Sequence, residues 1–317
     1  MPLWLRRLPP LFLIFVLLMG TSPPAAGQDY PTYSIGDFWE YSVEARLDTL
    51  LGLGNVSGDL TAEGDARAEV TAVTGGDATI TWTGDLMLQG RFMLPGETTE
   101  AGLSGTIETT YEERRSDPYF LPVATSSQTI LDLTITFIVS VPYTATLELN
   151  ATIPATGGAP TYPLEEGERT FGTAAQLATN LTFEFLGMDF QNRTEEEVLS
   201  VIRWSVAPAP VVEVPAGLFS GLHVTLEPLS GFVPSPLQAL VPGTVQVTHH
   251  APSVGSPVLY QFLADGVEVG KASLESYASA STAPPPFWLN PLFIGGILAV
   301  PVALLLVRYW RERRRGL

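Results

Sequence analysis

Leu131-Asp-Leu-Thr-Ile-Thr-Phe-Ile-Val-Ser-Val-Pro-Tyr-Thr-Ala-Thr-Leu-Glu-Leu149 decides the fold class. Leu131, Leu133, Ile135, Phe137, Val139, Val141, Tyr143, Ala145, Leu147 and Leu149 keep one parity, which continues to Ile153. Between them stand Asp132, Thr134, Thr136, Ser140, Thr144, Thr146 and Glu148. A period of two sends these sets to opposite faces of a strand, so the stretch has one dry face and one wet face. Straight, it would extend about 75 Å at 3.3 Å per residue. Pro142 has no N–H to give to a ladder, so the reading is one bent strand or a pair broken at Pro142.

The same alternation runs outward in both directions. Trp39, Tyr41, Val43, Ala45 and Leu47 alternate with Glu40, Ser42, Glu44 and Arg46. Ala62 to Ala72 does likewise, and Gly75-Gly76-Asp77 supplies a turn. Ile80, Trp82, Leu86, Leu88, Phe92 and Leu94 share a parity; Pro95-Gly96 turns the chain; Leu103, Gly105, Ile107 and Tyr111 follow. Sequential strands with tight connections predict an antiparallel meander with one wet face. Residues 154–179 are looser, with Gly157-Gly158, Pro160, Pro163 and the acidic Glu165-Glu166-Gly167-Glu168, and Thr173 to Thr179 reads as a short helix. Strands resume at Leu181–Leu186 and Glu197–Val206, and Pro208 and Pro210 break the chain. One helical turn is expected at Pro236–Leu240. Val258–Ala264, Asp265-Gly266 and Val267–Tyr277 predict a hairpin closed by a type I′ turn, whose two central residues need positive φ.

The expected fold is therefore all-β: a long-stranded, curved antiparallel sheet, as a half-barrel or a sandwich, with short helical caps. Residues 28–278 are read as one acidic domain, with a split near 155–180 as the alternative. No disulfide supports it, because the chain has no cysteine.

The two ends address the chain to a membrane. Met1 to Gly27 has the form of a secretory signal: Arg6-Arg7, the apolar Leu11–Met19, and Ala25-Ala26-Gly27 for cleavage. Phe287 to Val307 is an apolar run with no charged residue and Asn290 as its most polar side chain, long enough at about 1.5 Å per residue to cross a bilayer core of about 30 Å as a C-terminal transmembrane helix. Trp288 and Tyr309-Trp310 suit the two interfaces, and Arg308 to Arg315 puts the tail at 308–317 in the cytoplasm. Residues 279–286 form a Ser/Ala/Pro stalk. The expectation is a single-pass type I protein of the cell membrane, with most of the chain outside. A sorting tail removed during processing is the rival reading of the same run. Gly295, Ala299 and Ala303 share one face of the expected helix and would let two spans pack as a homodimer.

Charge excludes one partner class. The chain carries 33 acidic residues against 16 basic ones, for a net charge of −17. All the acidic residues but Glu312 lie between 28 and 286, whereas Arg6, Arg7 and the five arginines of the tail do not. Nucleic-acid binding needs a basic footprint that this domain lacks. The sequons at Asn55, Asn150, Asn180 and Asn192 are candidate glycosylation sites.

No catalytic, cofactor-binding or metal-binding set emerges, and the chain is read as a non-enzyme. The histidines are His223, His249 and His250. Adjacent strand residues point to opposite faces, so His249 and His250 do not chelate together. There is no Gly-x-Ser-x-Gly elbow, and Gly52-Leu-Gly54 lacks the rest of a phosphate-binding pattern.

Ser34-Ile-Gly-Asp-Phe-Trp-Glu-Tyr41 and Val212-Glu-Val-Pro-Ala-Gly-Leu-Phe219 resemble segments of archaeal-type exported single-pass surface proteins. There a "GDxWxY" strand and a "VPAGxF" turn belong to a large antiparallel sheet. The second segment, with His249-His-Ala-Pro-Ser-Val-Gly255 after it, is also similar to the lipoprotein-localisation carriers (LolA/LolB-like). The resemblance implies a curved sheet that encloses an apolar ligand or a partner segment, and it transfers no catalytic residue. Two functions remain. One is the binding of a lipid, lipoprotein or other apolar ligand in a concave face lined by Trp82, Leu86, Phe137 and Trp204. The other is a structural or protein-interaction role in the cell envelope, without a pocket.

Overall fold

The computed structural model describes residues 31–46, 57–93, 100–136, 140–154, 158–185, 188–231, 233, 244–251 and 253–279. Among them are twelve strands: β1 (Phe38–Arg46), β2 (Ser57–Thr74), β3 (Asp77–Met93), β4 (Ala101–Ser116), β5 (Ala124–Thr136), β6 (Ser140–Thr152), β7 (Gly167–Phe185), β8 (Met188–Val214), β9 (Gly217–Ser230), β10 (Val245–His250), β11 (Pro257–Ala264) and β12 (Val267–Ala278). Each pairs antiparallel with the next in sequence, and β12 returns to β1, giving a closed up-and-down barrel. At the seam, Lys271 Nζ lies 3.2 Å from a Glu44 carboxylate oxygen, and Ser276 Oγ donates to Glu40 at 2.6 Å.

The barrel replaces both the half-barrel and the sandwich. A dry face runs along the strands other than β8 and along β8 from Ser200 onward, where closure of the ring buries it, whereas Gln191 to Glu197 of β8 are exposed on both faces. No helix is found among the described residues, and none there is long and apolar enough to cross a membrane. Thr173–Thr179, expected as a helical cap, lies inside β7 and pairs with both flanking strands. Its alanines favour a helix locally, but tertiary pairing overrides that preference. Strand β8 runs through Pro208 and Pro210 to Val214, absorbing them in a register shift between Ala209 and Val212. The chain between Leu131 and Ile153 divides into β5 and β6 ahead of Pro142. That proline faces Thr134 one residue before the ladder to β7 begins, where its missing N–H leaves no gap in that ladder. The strands on both sides of 155–180 belong to the one barrel. The expected signal peptide, Pro95-Gly96, Pro236–Leu240, residues 280–286, the span Phe287–Val307, the basic tail, and the residues Asn55, Phe137, Gly295, Ala299 and Ala303 lie outside the described residues.

The two turns read from sequence are present. Asp265 and Gly266 have φ of 50° and 77° between β11 and β12, both positive as a type I′ turn requires. In the Val-Pro-Ala-Gly-x-Phe segment, Gly217 has φ of 136°, and Phe219 returns to the core at 9% exposure.

Registers fix what faces inward. Tyr41, Ala66, Gly84 and Thr109 lie on neighbouring inward positions of β1 to β4, and the same parity on β5 to β8 carries Leu131, Ala145, Phe183 and Phe190. The outward parity carries residues such as Thr83, Asp85, Glu108, Thr144, Glu148 and Arg193. Apolar inside and polar outside is the reverse of a lipid-facing barrel wall.

One end of the barrel is filled. Trp39, Tyr41, Trp82, Tyr111, Tyr260 and Leu274 belong to a buried cluster that joins β1 to β4 with β11 and β12. Tyr41 stacks on Trp82 at 5.4 Å between ring centroids, and Trp39 Nε1 donates to the Val254 carbonyl at 3.0 Å. A second cluster sets Phe120, Tyr162 and Leu164, from the connections flanking β5 and β6, against Trp204, Val224 and Leu226. The chain enters at β1 and leaves after β12 at this filled end.

Candidate functional site

The inner wall changes character along β5, β6 and β7. Near the filled end, Thr125, Ala151 and Ala175 are buried. Toward the opposite end, Leu131, Leu133, Ile135, Tyr143, Leu147, Leu149, Leu181 and Phe183 are only half-buried, and Phe190 on β8 is 44% exposed. All have inward parity. Phe183 stacks on Phe190 at 4.7 Å and meets Tyr143 at 6.0 Å. Solvent thus reaches an apolar wall inside the barrel while the outer face of the same strands carries Thr134, Thr144, Glu148, Thr182 and Glu184. Burying such a surface against a ligand is favourable in proportion to its area.

This wall is open because the strands differ in reach. β8 pairs with β7 over the full length of β7, but its ladder to β9 covers only Val201 to Val214. On that side β10 and β11 are short, whereas β2, β3, β7 and β8 are long. The barrel is therefore a closed ring at the filled end that continues as a curved, one-sided wall. Along β6 the apolar stretch from Val141 to Leu149 covers about 26 Å at 3.3 Å per residue. That exceeds the roughly 15 Å of hydrocarbon in one leaflet of a 30 Å bilayer core. Next to it the inner parity of β8 is polar: Asn192, Thr194 and Glu196. Thr179 and Thr194 share a hydroxyl–hydroxyl hydrogen bond there, as do Thr109 and Thr129 at 3.1 Å.

Beneath the wall, within the filled end, is a buried polar cluster. Arg115 donates to Glu113 Oε1 from Nη2 at 2.8 Å and from Nε at 2.9 Å, and Trp82 Nε1 lies 3.4 Å from the same oxygen. Glu113 is 1% exposed. Burial disfavours the Arg115 charge, but the Glu113 carboxylate and the surrounding tyrosines outweigh it and hold the guanidinium protonated. Burial also raises Tyr111 and Tyr260 and keeps His250 neutral. Glu113 Oε2, Gln246 Oε1, the Tyr260 hydroxyl and the His250 ring nitrogens have no hydrogen-bond partner within the protein. Their residues line one cavity of about 20 Å³, room for about one water.

On the outer wall, His223 and His249 face each other across β9 and β10 with ring centroids 5.2 Å apart. His250 turns inward against Phe120 at 4.9 Å, so the adjacent histidines do occupy opposite faces. No group of three or more metal-ligating side chains occurs among the described residues. A hollow of about 530 Å³ lies across β5 to β8, lined by residues of outward parity, Asn150, Thr152, Gln176, Glu195 and Glu197, and of inward parity, Thr125, Ala151, Leu177 and Glu196. Of these, Ala151 and Leu177 pack in one cluster with Leu149 of the apolar wall.

Of the four residues expected to line an apolar cavity, the three that are described fall into two separate packed clusters. Trp82 and Leu86, each 3% exposed, are packed in the first cluster. Trp204 belongs to the second cluster, where its indole N–H donates to the Gly158 carbonyl at 2.8 Å. Of the sequons, Asn150 is exposed on the outer wall. Asn180 is half-buried there, bonded to Glu148 at 3.1 Å. Asn192 has inward parity.

No family model, curated protein or solved structure matches the chain.

Proposed function

We propose that the barrel holds the apolar part of an amphiphilic ligand, a lipid or the acyl chain of a lipoprotein, against the inner wall of β5 to β7. The protein does so outside the cell membrane, held there by its C-terminal apolar segment. The observation that carries this reading is the reversal of exposure: Leu133, Tyr143, Leu147 and Phe183 face inward yet remain in contact with solvent. An apolar surface at the mouth of a barrel is a common place for small-molecule binding. The polar inner side of β8, with Asn192, Thr194 and Glu196, favours a ligand with a polar head over a pure hydrocarbon.

Titration with a fluorescent polyene fatty acid tests this. Saturable binding is expected, weakened at least about tenfold by Leu133→Asp or Phe183→Asp, since a carboxylate in the wall must be desolvated when the ligand binds. Met87→Asp, on the outer wall at 71% exposure, should leave binding unchanged. Equal effects of inner and outer substitutions, or no saturable binding, would contradict the reading.

A further inference from the structure

The part of β8 beyond β9 is a strand edge. Between Asp189 and Ser200, β8 is paired to β7 alone among the described residues. The chain leaving β9 turns away: Gly231 has φ of 72°, and Val233 is buried in the second cluster against Trp204 and Leu226. Gln191 to Glu197 are exposed at every position, on both faces. An edge of this kind presents alternate N–H and C=O groups ready to pair with another strand.

Its side chains decide what can pair. Glu195, Glu196 and Glu197 put carboxylates on both faces of the edge. Arg193, nearby, already lies 3.2 Å from Glu195. A second copy pairing about Glu196 would set these carboxylates against one another, and like charges directly opposite are destabilising. The charge that excludes a second copy favours a basic strand. At the two ends of the edge, Phe190 on the inner face and Leu199 on the outer face are 44% and 67% exposed, offering apolar contacts that flank the acidic centre.

We infer that the β8 edge from Phe190 to Leu199 accepts, by strand addition, an extended basic segment of another protein, with lysines or arginines opposite Glu195 to Glu197 and apolar residues at either end. Main-chain hydrogen bonds would supply the pairing, and the glutamates the choice of partner. The inference does not depend on ligand binding by the apolar wall.

The test uses the full chain and a fluorescein-labelled nine-residue peptide of alternating valine and threonine around three central lysines. A second peptide has the same sequence with alternate backbone amides N-methylated, which keeps charge and side chains but removes the donors. Fluorescence anisotropy should show saturable binding of the first peptide and none of the second. Glu195→Gln and Glu197→Gln together, both of outward parity, should weaken binding about fivefold, the loss of two exposed ion pairs, and leave fatty-acid binding unchanged. Equal binding of both peptides would reduce the contact to surface charge and overturn the inference, as would failure of the first peptide to bind.

Discussion

Arg115→Met removes one partner of the buried pair while keeping most of the side-chain stem. In the intact protein the guanidinium lies 2.8 Å from Glu113 Oε1. Two unit charges at that distance attract by about 6 kcal/mol at an effective dielectric of 20, most of it offset by their desolvation. After the substitution, Glu113 remains 1% exposed, with the Trp82 indole N–H as its nearest donor. Stranding a buried charge costs about 3–5 kcal/mol. For a domain of this size that lowers Tm by roughly 10 °C. Adding Glu113→Leu removes the stranded charge and should restore all but about 1 kcal/mol, the part due to the unsatisfied Trp82 N–H. Urea unfolding followed by tryptophan fluorescence gives both values, because Trp82 sits at the pair. A loss below about 1 kcal/mol for Arg115→Met, or a double variant no more stable than the single one, would refute the reasoning.

Three further outcomes follow from the same geometry. Burial, and then His223, lower His249 from 6.5 to about 4, so the stability it contributes is complete above pH 6.5 and is lost as pH falls toward 4; His249→Asn should flatten the thermal-melting profile across that window relative to the native chain. A Cβ on Gly64 would lie 2.0 Å from the Asp85 carbonyl oxygen, so Gly64→Val should cost at least about 2 kcal/mol by separating β2 from β3, read as a lower urea midpoint. Trp204→Phe leaves the Gly158 carbonyl without its 2.8 Å donor and should cost about 1 kcal/mol in the same assay.

Much of the barrel was legible because most of the wall strands carry their own period of two. Tyr41 in β1, Leu86 in β3, Leu133 in β5 and Tyr143 in β6 all have the parity read from sequence, and Asp265-Gly266 sits where a type I′ turn was expected. Closure was not legible, since β1 and β12 are joined by pairing at the greatest sequence separation, and alternation within a strand does not name its neighbours. Pro208 and Pro210 read as a break because a bulge that accommodates them depends on the partner strand. The site followed the same divide. The sequence places Trp82 and Trp204 in an expected apolar cavity, but depth along the barrel separates packed from solvent-reached positions, and that depends on how far each neighbouring strand extends. The Glu113–Arg115 pair had a signal that could have found it: the parity of Ile107 and Tyr111 continues to Glu113 and Arg115, placing opposite charges on the dry face two residues apart.

The central claim is that the half-exposed inner wall carries a ligand. Native mass spectrometry of the chain purified from its host, followed by organic extraction, tests it most directly. The account predicts an acyl-chain amphiphile bound near one per chain and lost in Leu133→Asp. A chain whose mass is that of the polypeptide alone, or a bound lipid that persists unchanged in Leu133→Asp and Phe183→Asp, would contradict it.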